Sequence, residues 1–284
     1  MMLRQFSPTS SNKSRSGYTL LEILVALSLG SLVAALATSG YVLANRAWQG
    51  QRERIQTEQS LRTAVDVLSR EVRLAGAGDL PNPLDGTNSG LADTIMIRTN
   101  LRRATGTPMG GVAAGATSLN LDNVANFVAG MTVQIFDVAA ATSEVLLVAS
   151  VDQAASRLDL DPSTPTALNY PDPSSVRVDG YEAQTFSIDG TGAVPMLNVA
   201  PALGVAQPVV AGIERLNIRY VLSRNCVPGP CDVVDLPASG AEWAIVRMIE
   251  IDIGARSGRP VPGQVAGLYR IGQVVQIKPR NFLF

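Results

Sequence analysis

Histidine is absent from this chain of 284 residues, and cysteine occurs only twice. Without histidine, no Ser–His or Cys–His catalytic pair can form. A zinc site is also disfavoured, because structural zinc is normally held by four cysteine or histidine ligands. Charged residues make up 17% of the sequence and hydrophobic residues 46%, and the acidic residues are scattered. We therefore predict no enzymatic activity and no cofactor.

Basic charge is scarce as well. The formal net charge is −1, and three of the basic residues, Arg4, Lys13 and Arg15, stand in the first 17 residues, which contain no acid. Removing those three from the 23 basic residues leaves 20 against 24 acidic residues. Phosphate binding relies on clustered Lys and Arg, so this mildly acidic remainder argues against nucleic acid as the main partner.

Two groups of acids raise the question of calcium: Asp159 with Asp161, and Asp232 with Asp235. Calcium takes about six to eight oxygen ligands, and two acids close in sequence do not supply them. We therefore favour solvated turns over a metal site at both places.

A run without any charged residue extends from Ile23 to Ala44. About 20 apolar residues are enough for a helix to cross the hydrocarbon layer of a membrane. The basic residues before this run predict a cytoplasmic N-terminus, with the rest of the chain outside the cytoplasm. Glu22 lies just inside this segment, where a charged side chain costs several kcal/mol unless it is paired. A lone carboxylate here predicts a cationic partner from another subunit.

The order of these features resembles the processing site of type IV prepilins: a basic leader, then Gly17, Tyr18, Thr-Leu-Leu, Glu22 and the apolar run. The resemblance implies that a prepilin peptidase removes the leader 1–17 by cutting after Gly17. It also implies N-methylation of Tyr18, where the family usually has Phe. Glu22 would then pair with the N-terminal amine of a neighbouring subunit during assembly.

Two simpler interpretations remain as alternatives. An ordinary secretory signal could be cleaved after Ala35-Leu36-Ala37, although the apolar run continues to Ala44 and is long for a signal core. A plain signal anchor is the other alternative, and it would need neither Gly17 nor Glu22. The leader contains no cysteine, which excludes a lipoprotein.

Beyond the predicted transmembrane segment 18–44, residues 45–78 continue with a helical pattern. Apolar residues recur at spacings of three and four and predict one stripe that packs on a globular domain. The opposite face carries charges at a spacing of four, which allows opposite charges to pair. We predict one helix from about Tyr18 to Leu74, ended by Gly76-Ala77-Gly78 with Pro81 beyond. The stripe comprises Leu61, Val65, Leu68, Val72 and Ala75, and the charged face comprises Arg54, Glu58, Arg62, Asp66 and Arg70.

From residue 79 to 284 the sequence predicts a β-rich globular domain. Residues 117–161 read as an inserted small β unit, and 162–173 as a loop rich in Pro, Ser and Thr. The expected fold class is α+β, with a long N-terminal helix packed on an antiparallel sheet. The strands are expected at 94–98, 132–136, 144–151, 157–160, 174–179, 183–188, 212–222, 243–253 and 273–278.

The two cysteines, Cys226 and Cys231, flank the sequence Val-Pro-Gly-Pro, which requires a tight turn. Outside the cytoplasm such a pair is expected to form a disulfide, and there is no second pair to complete a metal site.

Three further segments, 211–220, 246–257 and 277–281, resemble the PilW family of minor pilins and, less closely, the related J-type minor pseudopilins of type II secretion. The resemblance implies a minor pilin in the initiation or tip complex of a type IV pilus. Its partners would be other major and minor pilins, the prepilin peptidase and the inner-membrane assembly platform, and it would move from inner membrane to pilus. A type II secretion pseudopilin and a signal-anchored periplasmic binding module are the alternatives. The length and the extra β unit favour the pilus protein.

Overall fold

The computed structural model describes residues 18–77, 83–140, 142–163, 165–201, 204–226, 230–239, 242–243, 245–262, 264 and 267–280. The predicted leader 1–17, with Gly17 at its end, lies outside the described residues, as do Pro81 and the final residues 281–284. By its internal contacts the chain divides into two units, Met1–Gln51 and Arg52–Phe284.

The first unit contains the beginning of one long helix, α1 (Leu20–Leu74), which starts two residues after the predicted position. Every described side chain from 18 to 49 is exposed. The helix is long and apolar enough to cross a membrane. Lipid offers no hydrogen-bond partners, so polar groups in such a helix must be satisfied internally. Four hydroxyl side chains meet this requirement by donating to carbonyl groups three or four residues earlier: Ser28, Ser31, Thr38 and Ser39.

The second unit contains the remainder of α1 and two antiparallel sheets. The larger sheet has the order β1-β2-β8-β5-β6-β7-β4, with β3 and β9 also paired to β8, and β10 to β9; the smaller has the order β12-β11-β13-β14. In the described residues the strands are β1 (Leu84–Thr87), β2 (Thr94–Thr99), β3 (Thr105–Gly106), β4 (Ser118–Asn120), β5 (Thr132–Asp137), β6 (Thr142–Asp152), β7 (Arg157–Leu160), β8 (Val176–Asp189), β9 (Met196–Pro201), β10 (Gln207–Ala211), β11 (Ile213–Leu222), β12 (Val233–Val234), β13 (Val246–Arg256) and β14 (Arg270–Ile277).

The predicted apolar stripe of α1 packs on the smaller sheet, as the spacing requires. Four of its five residues are fully buried and Val65 is half-buried. The facing residues of the sheet include Ile251, Ile253 and Ile277. Burial of large aliphatic side chains stabilises a fold by about 1.5–3 kcal/mol each, so this contact is the main reason that the second half of α1 is helical.

The charged face of α1 does not form the ladder of ion pairs that its spacing allows. The Glu58 carboxylate instead accepts a hydrogen bond of 3.3 Å from the Tyr269 hydroxyl. The Arg54 guanidinium lies 5.6 Å from the centre of the same ring. Arg70 pairs with the adjacent Glu71 at 2.8 Å. Tyr269 therefore ties the loop before β14 to the helix.

At the beginning of β13 the side chains do not lie on the faces that simple alternation along the sequence predicts. The sequence places Arg247 on the face of the buried isoleucines and Val246 with Met248 on the other. In the structure Val221 pairs with Met248 but the next residue, Leu222, pairs with Val246. Arg247 is the extra residue of this irregularity and is exposed, whereas Val246 is buried. A bulge of this kind reverses the facing of the residues on one side of it.

The larger sheet also departs from expectation, because β8 is one strand of 14 residues where the sequence predicts two. Gly180, near its middle, looks like a turn residue but continues the ladder opposite Val133. Ala104 and Met131 pack against the position where a side chain would stand, which only glycine allows. Strand β9 was not predicted, because it lies in a segment rich in Gly and Pro.

A second hydrophobic core lies within the larger sheet, apart from the core under α1. It draws on residues before, within and after the β unit expected at 117–161. Its largest buried members are Leu119, Leu121, Phe127, Ile135, Leu158 and Tyr170.

Asp93 connects the two sheets. Its backbone N–H donates to the Leu216 carbonyl at 2.9 Å. Its buried carboxylate accepts from the backbone N–H groups of Ser89, Gly90 and Ile218 at 2.8–3.0 Å. The architecture is therefore α+β and pilin-like: a long N-terminal apolar helix packed on antiparallel sheets, as the sequence predicts.

Candidate functional site

The beginning of α1 is organised by Thr19. The Thr19 side-chain oxygen accepts from the Glu22 backbone N–H at 3.2 Å, and its carbonyl accepts from Glu22 and Ile23 at 3.0 and 3.2 Å. Thr19 is thus the N-cap of the helix, and Glu22 is the third helical residue. Thr-x-x-Glu is the sequence of a capping box, in which a glutamate is favoured near the positive end of the helix dipole. The sequence Thr19-Leu-Leu-Glu22 carries this signal and places the helix start at Leu20 rather than at Tyr18.

The Glu22 side chain is exposed, and among the described residues it has no hydrogen bond or ion pair from another side chain. The next charged residue along α1 is Arg46. The neighbouring surface consists of Tyr18, Ile23, Ala26 and Leu27. Glu22 is therefore an available carboxylate on an otherwise apolar surface, able to accept a cation from another molecule.

Tyr18 precedes the helix and its side chain is exposed. Cleavage after Gly17 would turn the Tyr18 backbone nitrogen into a new N-terminal amine. Gly17 itself lies outside the described residues. Tyr18 is the residue before the N-cap Thr19, and Glu22 lies in the first turn of α1. The new amine and the Glu22 carboxylate would thus both stand at the beginning of the helix.

The predicted disulfide is present and joins Cys226 to Cys231. Beside it the Arg224 guanidinium pairs with Asp232 at 2.7 Å and with Glu242 at 3.0 Å. The hydrogen bond from Arg224 lowers the pKa of Asp232. The pKa of Glu242 is also lowered, first by the Ala238 backbone N–H and then by Arg224. We call the disulfide with this ion-pair network the Cys-loop clamp.

Three of the four acids considered for calcium, Asp159, Asp161 and Asp232, have protein partners. Asp159 accepts from the Ser150 hydroxyl at 2.8 Å and pairs with Arg157 at 2.8 Å. Asp161 accepts from the Ser163 backbone and side chain. No group of three His, Cys, Asp or Glu side chains in the described part of the chain is arranged to hold a metal ion.

Residues 12–38 match the prokaryotic N-terminal methylation motif. The match includes Gly17, Tyr18 and Glu22 and the first part of the apolar run. A search of curated proteins found no match to this chain. The motif and the long apolar helix are those of a membrane-anchored pilin or pseudopilin, a type of protein that is generally structural, processed by a prepilin peptidase and assembled with other pilins.

Proposed function

We propose that this protein is a minor pilin of a type IV pilus and acts in the initiation or tip complex of the fibre. The observation that carries the proposal concerns Glu22: its carboxylate is exposed and has no side-chain partner among the described residues, and no other charged residue occurs from Ile23 to Ala44. The resemblance of β11 and β13 to segments of the PilW family supports the minor-pilin subtype.

Before assembly the apolar part of α1 lies in the inner membrane. A carboxylate within a membrane helix is costly, and Glu22 reduces this cost because it stands at the helix end, near the headgroups. The exposed apolar surface is satisfied by lipid tails. The second unit, from Arg52 onward, with the β domain in it, stands outside the cytoplasm.

During assembly the helix leaves lipid for a bundle of other pilin helices, which replace the acyl chains. Water is excluded there, so Glu22 needs a cation beside it. The methylated amine of Tyr18 on a neighbouring subunit supplies that charge, and Glu22 of one chain recruits the next. A charge-assisted contact of this kind is worth about 1.5–3 kcal/mol.

A type II secretion pseudopilin would use the same helix chemistry, so Glu22 and Tyr18 support either role. The β unit at 117–161, which contributes β4–β7 and much of the second hydrophobic core, is an addition that favours the pilus protein. The place where the protein is found distinguishes the two roles, because a minor pilin is recovered in sheared pili and a pseudopilin is not.

The test is the variant Glu22→Gln, which keeps the shape of the side chain and removes its charge. Glu53→Gln is the matched control, because Glu53 is the first acid after the apolar run. Membrane level and leader removal should be unchanged in both variants, since the sequence around Gly17 is intact. The amount of Glu22→Gln in sheared pili, relative to membranes, should fall about tenfold, which corresponds to the loss of about 1.4 kcal/mol.

Glu53→Gln should assemble like wild type. Equal incorporation of wild type and Glu22→Gln would show that Glu22 is not an assembly contact and would favour a plain membrane anchor.

A further inference from the structure

A cleft of about 300 Å³ lies on one face of the larger sheet. Strands β1, β2, β8, β5 and β6 are neighbours in the sheet there, and each contributes at least one lining side chain. The segment before β13 closes one side with Trp243. Ligand pockets for small molecules begin at about this volume, so the cleft suits a ligand of one or two rings.

Gln134, on β5, is the most informative lining residue. Its exposed fraction is only 6%, but its side-chain amide is not sealed from solvent: it lines the cleft and has no hydrogen-bond partner among the described residues. An amide carries two donor hydrogens and one acceptor oxygen. The Gln134 amide can therefore both donate to and accept from a polar ligand in the cleft.

An ion pair provides the second polar element. Arg98 Nη2 lies 3.1 Å from Asp85 Oδ2, and the Arg98 guanidinium lies 6.0 Å from the centre of the Tyr181 ring. The two charges compensate each other, so the cleft has no net charge from its lining side chains. It is therefore poorly suited to an anion, and the half-exposed Asp85 carboxylate can accept from a neutral ligand.

Trp243 provides the apolar side. Its ring meets Tyr220 edge-on, with the ring centres 4.9 Å apart, and the side chain is half-buried. The lining also includes Val145, which is exposed on β6. The cleft thus combines aromatic and aliphatic side chains with polar ones.

From these observations we propose that the cleft binds a neutral sugar residue. A sugar ring combines vicinal hydroxyl groups, each a donor and an acceptor, with an apolar C–H face. The hydroxyls match the Gln134 amide and the Asp85 carboxylate, and the C–H face matches Trp243. The proposal does not rest on assembly into a fibre.

The experiment uses the full chain in detergent with Trp48→Phe, which leaves Trp243 as the sole tryptophan. Its fluorescence is titrated with glucose, galactose, mannose and N-acetylglucosamine, and with glucuronic acid and glucose 6-phosphate as anionic comparators. At least one neutral sugar should produce a saturable change, and neither anion should bind more tightly. Gln134→Met should weaken binding at least tenfold, whereas Gln273→Ala, at an exposed amide on β14, should leave it unchanged.

A second readout requires no substitution in the cleft. In the unmodified chain the indole N–H resonance of Trp243 should shift with the sugar, and that of Trp48 should not. The proposal is overturned if no neutral sugar gives a saturable change in fluorescence. It is also overturned if the anions bind more tightly than the neutral sugars, or if Gln134→Met binds them like wild type.

Discussion

Asp93 shows how one buried side chain can hold two sheets together. Its carboxylate accepts from three backbone N–H groups, one of which belongs to Ile218 in the smaller sheet. Asp93→Ala would leave those donors unpaired, and each costs about 1–3 kcal/mol when buried. We expect the urea midpoint of unfolding to fall sharply for Asp93→Ala and less for Asp93→Asn, which keeps one acceptor oxygen. A midpoint unchanged in Asp93→Ala would contradict this role.

Two glycines give a matched pair of substitutions. A Cβ on Gly86, in β1, would stand 2.5 Å from the Thr94 carbonyl oxygen, and backbone cannot move aside cheaply. Gly86→Ala should therefore destabilise the fold by about 1–3 kcal/mol, as overpacking does. A Cβ on Gly110 would meet nothing within 4 Å. Gly110→Ala should be neutral or stabilising by up to about 1 kcal/mol, because it restricts the unfolded chain. Equal thermal midpoints for the two variants would show that close packing does not require glycine at position 86.

A motif can be read from the sequence where its residues stand close together. Gly17, Tyr18 and Glu22 belong to one short motif, and the match to residues 12–38 covers all three, while their individual roles stay predictions. Asp93 and Gln134 carried no such signal. Their roles depend on which strands become neighbours, and that pairing is decided by the whole sheet.

At the scale of elements, the second half of α1 depends on its buried stripe. Leu68 is almost fully buried against the smaller sheet, and Leu→Ala in a core costs about 2–5 kcal/mol. Arg62 is exposed on the opposite face, where substitutions usually cost less than about 0.5 kcal/mol. In thermal unfolding of the detergent-solubilised chain, the midpoint should fall clearly for Leu68→Ala and stay close to that of wild type for Arg62→Ala. A similar midpoint for both would mean that the helix does not depend on this packing.

The Cys-loop clamp should respond to acid. Arg224 contacts Glu242, which is adjacent to Trp243 in the chain, so the clamp holds the tryptophan in place. The pKa values of Asp232 and Glu242 are lowered in the fold. The clamp therefore contributes fully above the ordinary carboxylate pKa of about 4, and its contribution is lost as the pH falls through the lowered values.

The fluorescence of Trp243, read in the Trp48→Phe background, should be constant from pH 7 to about 5 and change below about 4. Glu242→Gln should show part of that change already at pH 7. An acid transition identical in Glu242→Gln and its parent would exclude the clamp as the cause.

The sequence predicts where a helix or strand lies when its apolar residues recur at a regular spacing. The stripe of α1 follows from a spacing of three and four, because only a helix turns such residues to one side. The facing of Arg247 and Val246 could not be predicted, since the irregularity depends on the pairing of β13 with β11. Strand β8 was divided at Gly180 because a glycine required by packing looks the same in sequence as one required by a turn.

At the scale of the whole molecule, the chain separates its apolar surface into two kinds. One kind is buried in the cores of the β domain, and the other is exposed on the first part of α1. Exposed apolar surface of this kind is stable in lipid or among other helices, and in the proposed function Glu22 directs the helix from lipid into the fibre. Assembly through that helix, after removal of the leader, is therefore the central claim.

The most direct test is mass spectrometry of tryptic peptides from sheared pili. The first lysine or arginine after Tyr18 is Arg46, so the mature N-terminus is reported by a single peptide, 18–46. The account predicts that this peptide is recovered from the fibre fraction and begins with N-methyl-tyrosine. Recovery of peptide 16–46, of a chain that begins at Thr38, or of the protein in membranes alone would contradict it.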